Sequence, residues 1–324
     1  MINEELMRKV TYEIAVRIAR LEEREAAGES VPSVLYHYTT TDGLLGIIKS
    51  KELWATNVLF LNDTSELVDA IKLFAAELEY DPLKLGERTG WIQTMILPNL
   101  DTADIDHFVV SFCENGDLLS QWRAYGAQGF GYSLGFEPSA LTRSPLGDCF
   151  PSNRLLRKVI YDLPTKRALI RARLAILREV LEPRAAELEA DGDNEIRILM
   201  TLWAQVAFTL HPVFALMKNS AFREEGEWRL LHSLRFLKRK KVTDIGVRAI
   251  NGTLAPFVRL PWMPLDLPSA VTREEPPAKS GSLKRILCGP APHPVLKHKA
   301  VTQLLSGAGW NETEVIDSEV PLRQ

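Results

Sequence analysis

This chain has few cysteines and no sequence motif typical of a metal site. The sequence contains 3 cysteines, at positions 113, 149 and 288, and none of them forms a C-x-x-C pair. Its 6 histidines include no H-E-x-x-H motif and no other paired zinc spacing. An odd number of widely separated cysteines is typical of reduced thiols in a core rather than of a disulfide framework. The sequence therefore predicts neither disulfide bonds nor a bound metal.

Long apolar runs and an excess of one charge are also missing. No apolar run reaches the roughly 18 residues that a membrane-spanning helix needs, so no membrane partner is expected. Residues 1–25 are charged throughout and lack the apolar core of a secretory signal, which indicates a cytoplasmic protein. With 39 basic and 42 acidic side chains the formal net charge is −3, so the whole molecule has no strong field for nucleic acid.

The common nucleotide-binding loops are absent as well. The glycines at 126, 129, 131 and 135 do not match G-x-G-x-x-G, and they lead into a predicted strand instead of a helix. Neither the G-x-x-x-x-G-K-[ST] phosphate loop nor the G-x-S-x-G hydrolase elbow occurs. The sequence therefore argues against a dinucleotide-binding βαβ unit, a P-loop enzyme and a serine hydrolase.

What is present is a mixture of helical and strand patterns. Residues 1–30 carry apolar positions at helical period and predict an N-terminal amphipathic helix. Short runs rich in β-branched and aromatic residues predict strands, and residues 165–220 predict a helical insertion. We therefore expect a mixed α/β (α+β) protein in which one domain over residues 31–324 follows the amphipathic helix.

Three of the predicted strands carry polar residues that suit chemistry on a dinucleotide. They are residues 35–39 (LYHYT), 109–112 (VVSF) and 225–229 (EGEWR). The first contains His37, the second Ser111, and the third Glu225 and Glu227. Residues two apart in a strand project to one face, so both glutamates are expected to face a single cleft. The glycine between them weakens the strand pattern.

Several segments in order resemble a bacterial family catalogued as domain of unknown function 2971, over nearly the whole chain. They are LYHYT at 35–39, LND at 61–63 with Glu66, VSF at 110–112 with Trp122 and Tyr125, and the segments 131–136, 222–229, 286–290 and 318–323. The three polar strands also resemble, more loosely, the ADP-ribosyltransferase superfamily and its DNA-modifying toxins. That resemblance implies a mixed, split β-sheet core and NAD as the substrate.

The ADP-ribosyltransferase resemblance assigns catalytic roles to three residues. Cleavage of the nicotinamide–ribose bond develops positive charge on the ribose carbon, which a fixed carboxylate stabilises. Glu227 would hold the ribose, Glu225 would accept the proton of the attacking group, and His37 would hydrogen-bond the other ribose or the diphosphate. Ser111 would position Glu227.

A wider set of residues is predicted to bind the dinucleotide. The complete cofactor-binding set is His37, Tyr38, Thr39, Ser111, Trp122, Arg123 and Tyr132. Within it the three aromatic side chains would stack on nicotinamide, although aromatics in such segments usually fill a core. Arg123 and Arg229 would contact the diphosphate through bidentate bonds. Asn62 and Asp63 form a predicted substrate loop, while Asp63 with Glu66 also fits a helix cap.

The leading hypothesis is an NAD-consuming ADP-ribosyltransferase, with a toxin or anti-phage defence role implied by resemblance alone. Its acceptor would be a protein, a nucleic acid or water, and an antitoxin or regulatory partner is expected. Basic runs at 235–241 and 166–178 leave nucleic acid open, although solvated positive faces explain them too. The alternatives are a non-catalytic nucleotide- or partner-binding module and a metal-dependent hydrolase or nuclease using Glu225, Glu227 and Asp63.

Overall fold

The computed structural model describes residues 4–61, 64–86, 89–100, 107–126, 130–142, 154–189, 195–234, 245–250, 252–263 and 282–321. The helices of this part of the chain are α1 (Glu4–Ala27), α2 (Thr41–Ser50), α3 (Thr64–Tyr80), α4 (Leu119–Tyr125), α5 (Pro138–Thr142), α6 (Leu163–Leu181), α7 (Ala185–Glu189), α8 (Glu195–Phe214) and α9 (Pro294–Ala308). The strands are β1 (Leu35–Thr39), β2 (Glu52–Asn57), β3 (His107–Cys113), β4 (Tyr132–Phe136), β5 (Arg154–Lys158), β6 (Glu227–Ser233), β7 (Ile245–Ile250), β8 (Thr253–Pro261), β9 (Leu283–Cys288) and β10 (Glu314–Asp317). The expected α+β class is confirmed.

One compact unit is helical and comprises Met1–Glu29, Val58–Ile105 and Ile160–Phe222. Its buried core draws on α1, α3, α6 and α8, with residues such as Ile14, Phe74, Leu174 and Leu210. The apolar residues of α1 recur every four positions and so form one stripe along the helix, which this core buries. The expected division into residues 1–30 and 31–324 thus differs from the observed one, in which α1 and the helices of the predicted insertion share a single core.

The second compact unit comprises Ser30–Asn57, Asp106–Val159 and Arg223–Gln324 and contains all ten described strands. The strand order is β10-β9-β4-β1-β3-β2-β8-β7, and β6 pairs with both β3 and β5. Every described pairing is antiparallel except that of β9 with β10. β7 and β8 form an antiparallel hairpin, and Gly252, which precedes β8, has φ +80°.

Two helices cover one face of this sheet, which we call the apolar face. Its core includes Leu35, Phe112, Leu134 and Trp228 from four neighbouring strands, together with side chains of α2 and α9. Because side chains alternate along a strand, Ser111 on β3 projects to the opposite face. That opposite face, the polar face, carries the charged residues described below.

β3 is the point at which the sheet forks. Its Cys113 end pairs with β1, at Tyr36, whereas its other end pairs with β2 through Val109 and Phe108. Within the described strands, residues 110–112 of β3 therefore have no strand partner on this edge. α2 connects β1 to β2, and both strands run antiparallel to β3 along the same edge.

The start of α2 allows a test of local stability. Thr40 is the N-cap, and its Oγ1 accepts a hydrogen bond from the Gly43 amide at 3.2 Å. We expect Thr40→Ala to lower the free energy of unfolding by about 1 kcal/mol, since the amide loses its partner. Thr302→Ala, in the middle of α9, is the control and should change it by less than about 0.5 kcal/mol. Urea denaturation measures both, and equal effects would show that the cap contributes nothing.

Candidate functional site

The three strands that carry the predicted catalytic residues lie side by side. β3 is adjacent to β1 on one edge and to β6 on the other. Tyr36 lies opposite Cys113, and Cys113 lies opposite Glu227. Ser111 is opposite Arg229 on β6, two positions from Glu227. Segments from three separate parts of the sequence, with His37 and Ser111 already 74 positions apart, are therefore brought onto three neighbouring strands.

The side chains of His37 and Glu227 leave these strands on opposite faces. Because Tyr36 and Glu227 both share a face with Cys113, the next residue along β1, His37, points the other way. Its ring lies 5.8 Å from the ring of Phe112, centroid to centroid. The strands that carry His37 and Glu227 thus come together as expected. Their two side chains, however, do not line a common surface.

His37 lies at the fork. Its Nδ1 is 2.9 Å from the carbonyl oxygen of Ser111, on the edge of β3 that has no strand partner. A carbonyl only accepts hydrogen bonds, so Nδ1 carries the proton and Nε2 of the neutral ring presents a lone pair. Burial lowers the pKa of His37, the Ser111 bond opposes this, and the charge of Arg248 lowers it further. The imidazole is therefore neutral at pH 7, with Nε2 as an acceptor.

Glu227 forms a buried ion pair with Arg229 on the polar face. Arg229 Nε donates to Glu227 Oε1 at 2.8 Å, and its Nη2 donates to Oε2 at 3.2 Å. The two residues are 4% and 3% exposed, respectively, so the pair is almost fully shielded from water. Two parallel bonds from one guanidinium hold the carboxylate ionised and fix its orientation. Arg229, predicted to contact a diphosphate, instead binds this carboxylate.

The prediction that Glu225 and Glu227 share a strand face is wrong. Glu225 is the last residue of a 3-10 turn, Ser220–Glu225, and β6 begins at Glu227. Gly226 between them has φ +51°, a left-handed conformation that glycine adopts without strain. The chain direction changes at this residue, so the two carboxylates are not related by the strand repeat.

Glu114 is a carboxylate at this end of the sheet that the sequence reasoning missed. Its amide donates to the carbonyl of Gly226 at 3.1 Å, directly beside the predicted glutamates. Its Oε1 accepts bonds from Lys158 Nζ at 2.7 Å and Trp228 Nε1 at 2.9 Å. Partial burial alone would raise the pKa of Glu114, but these two partners together lower it. The only sequence signal for Glu114 is its position directly after β3, the strand that carries Ser111.

Two of the predicted stacking residues are packing residues. The rings of Tyr38 and Trp122 are buried and meet edge to face at 4.8 Å between centroids. Tyr38 Oη accepts from the Leu118 amide at 2.9 Å and donates to the Asn115 carbonyl at 3.0 Å. Trp122 Nε1 donates to Asp117 at 2.7 Å. These rings present no face to a nicotinamide, which corrects the expectation.

Tyr132 is also buried, and a lysine already covers its ring. Lys297 Nζ lies 4.5 Å from the ring centroid. The same ammonium donates to the carbonyls of Phe130 and Gly131 at 2.8 Å and of Gly289 at 2.9 Å. Burial lowers the pKa of Lys297 to about 8. Three carbonyls account for its three N–H groups, so this lysine joins α9 to the sheet and the stacking role of Tyr132 is corrected to packing.

The remaining predicted residues have simpler positions. Ser111 is exposed on the polar face, while Thr39 ends β1 and its Oγ1 occupies the space where a side chain at Gly43 would lie. Arg123 is exposed on α4. The substrate-loop residues Asn62 and Asp63 lie outside the described residues, as does the basic run at 235–241. The binding roles of Ser111, Thr39 and Arg123 stay predictions.

Neither a metal-ligand cluster nor a membrane-spanning helix occurs within the described ranges. No group of three or more histidine, cysteine, aspartate or glutamate side chains is placed there to hold a metal ion. None of the described helices combines the length and apolar character needed to cross a bilayer.

The second unit is thus an α+β protein built on a forked, mostly antiparallel sheet with charged groups on one face. Residues 121–230 match the model of a family described as "Protein of unknown function (DUF2971)". The match covers about a third of the chain, from α4 into β6, and supports the family that the sequence segments indicate. Comparison with curated proteins and with solved structures finds no match.

Proposed function

We propose that the second unit is an NAD-consuming enzyme of the ADP-ribosyltransferase type. The observation that carries this proposal is the adjacency of β1, β3 and β6, in which the histidine, serine and glutamate strands are neighbours in one sheet. A mixed, split sheet is part of the same resemblance, and the fork at β3 agrees with it. Glu227 is the proposed ribose-binding carboxylate.

Ser111 links the two ends of the proposed site. Its carbonyl oxygen orients His37, and its side chain lies opposite Arg229, which holds Glu227. We assign the Nε2 lone pair of His37 to a ribose hydroxyl of a ligand that enters the fork. Glu227 acts from the polar face, so the proposed ligand has to span the fork.

The proposed reaction transfers the ADP-ribosyl group. The N-glycosidic bond breaks, and nicotinamide leaves as a neutral molecule with the bonding electron pair. A nucleophile on the acceptor forms the new bond to the ribose carbon and loses a proton. The ionised carboxylate of Glu227 stabilises the positive charge that develops on the ribose. Glu225 or Glu114 accepts this proton. When water is the acceptor of the ADP-ribosyl group, the product is ADP-ribose.

His37→Asn tests this proposal. The asparagine amide retains a donor close to the position of Nδ1 and can still bond the Ser111 carbonyl, but it has no equivalent of Nε2. We expect NAD turnover, measured as nicotinamide release by chromatography, to fall about tenfold to hundredfold in kcat/KM, the loss of one buried hydrogen bond. The melting temperature should change little.

His298→Asn is the matched control, since His298 is on α9 and pairs with Asp317 at 3.2 Å. It should leave turnover unchanged. The assay uses the full chain, with water alone and with added bacterial protein or nucleic acid as acceptor. Wild-type protein that releases no nicotinamide with any acceptor would refute the enzymatic proposal.

The second candidate is a non-catalytic nucleotide-binding module. The doubly bonded ion pair between Glu227 and Arg229 favours it, since this pair also satisfies both side chains without any ligand. NAD that raises the melting temperature without being consumed would support the module over the enzyme.

A further inference from the structure

The polar face contains an arginine without a carboxylate partner. Arg248 on β7 is half-buried, and its Nη2 donates to Thr56 Oγ1 at 2.6 Å. Its Nε is buried without a hydrogen-bond partner, and across the described residues no carboxylate lies within ion-pairing distance of it. A guanidinium has five N–H groups, and among the described residues an acceptor is present for only one of those of Arg248, on Nη2.

Two aromatic rings lie beside this guanidinium. Trp54 and Phe257 stack at 4.3 Å between centroids with 20° between their planes. The central carbon of the Arg248 guanidinium is 5.8 Å and 5.9 Å from the two centroids. Such contacts offset part of the cost of holding an unpaired charge out of water. Trp54 is nevertheless 43% exposed, so one side of this cluster is open to solvent.

The cluster adjoins the fork. Thr56 lies opposite Val109, which is two residues from Ser111 on the same face of β3. The charge of Arg248 reaches His37, where it adds to the effect of burial in lowering the pKa of that imidazole. The two side chains leave the sheet on opposite faces, so Arg248 acts on the imidazole only through its charge.

We propose that Arg248, held by Thr56, binds a phosphate group of a nucleotide next to the fork, with Trp54 at the edge of the site. Phosphate oxygens match the planar array of guanidinium donors. No carboxylate of the described residues takes this position in place of a phosphate. That the ligand is the diphosphate of NAD rests on the proposed function. The phosphate site itself does not.

The test is binding of inorganic pyrophosphate to the full chain, measured by calorimetry, with the melting temperature of each variant recorded. Arg248→Met should weaken binding about tenfold to hundredfold, since charge-assisted hydrogen bonds are lost. It should also keep or raise the melting temperature, because it removes an unpaired charge and retains contact with the rings. If Arg248 served only to stabilise the fold, Arg248→Met would instead lower the melting temperature.

Arg259→Met is the matched control. Arg259 lies on β8, 5.4 Å from the same Phe257 ring, but it has Glu52 at 3.9 Å. Its loss should leave pyrophosphate binding within about twofold, because its charge already has a carboxylate partner. Equal affinities of wild type and Arg248→Met, or no binding of pyrophosphate by wild type, would overturn the phosphate site. The protein could bind pyrophosphate through Arg248 and yet release no nicotinamide. That result would support the phosphate site and refute the proposed enzymatic function.

Discussion

Glu227→Gln lowers the free energy of unfolding by about 3 to 5 kcal/mol, because it removes the charged carboxylate that accepts two bonds from the buried guanidinium of Arg229. Both side chains are almost inaccessible to water, so solvent compensates little for the loss. Loss of turnover in this single variant therefore has two possible origins, a missing catalytic group or a weakened fold. Urea denaturation followed by fluorescence measures the stability part of the effect.

The double variant Glu227→Gln with Arg229→Gln separates the two origins. The double variant removes both charges of the pair, so the guanidinium no longer faces a neutral amide and most of the lost stability should return. Nicotinamide release should not return, since the proposed chemistry needs the carboxylate of Glu227. A double variant that is as active as wild type would remove Glu227 from the mechanism.

An exposed ion pair provides the control for the stability measurement. Lys284 Nζ and Glu137 Oε2 are 3.0 Å apart, and both side chains are about two-fifths exposed. Glu137→Gln should cost less than about 1 kcal/mol, because water solvates the remaining lysine. If Glu227→Gln costs no more than this control, the buried pair does not contribute to stability as its burial implies.

The strands of the sheet could be predicted because their signal is local. Residues 35–39, 107–113 and 227–233 are short runs of β-branched, aromatic and leucine side chains, and each forms a strand. That these three strands are neighbours in the sheet is implied only by the family resemblance. The local sequence of a segment does not indicate which other segment it pairs with. The grouping of α1 with α6 and α8 depends on tertiary packing of apolar stripes, which no single segment displays.

The site was harder to predict because it depends on partners distant in sequence. Trp122 and Tyr38 became packing residues through bonds to Asp117, Asn115 and Leu118, and the contacts of Tyr38 span nearly eighty positions. The spacing of Glu225 and Glu227 predicts one strand, although Gly226 between them is a sequence signal for a turn. The sequence gives no signal for Arg248, because its distinguishing feature is the lack of a carboxylate partner among the described residues, which only the folded chain reveals.

Acid pH should destabilise the protein through His232. This residue is on β6, opposite Arg154, and its Nδ1 is buried without a hydrogen-bond partner. Burial, with the charge of Arg154, lowers the pKa of His232 to about 4. In the unfolded chain a histidine titrates near pH 6.5, so below that pH the unfolded state binds a proton that the folded state does not. Stability is therefore fully present above about pH 6.5 and falls as the pH approaches 4.

We expect this histidine to account for about 2 to 3 kcal/mol of the stability lost between pH 7 and pH 4.5. His37, whose pKa is also lowered, acts in the same direction. His232→Leu, which is similar in volume and does not titrate, should flatten the dependence of unfolding free energy on pH by that amount. His293→Leu, at an exposed position before α9, should leave the slope as in wild type. Urea denaturation at the two pH values measures each slope, and identical slopes for His232→Leu and wild type would mean that the buried imidazole is not the source of the acid sensitivity.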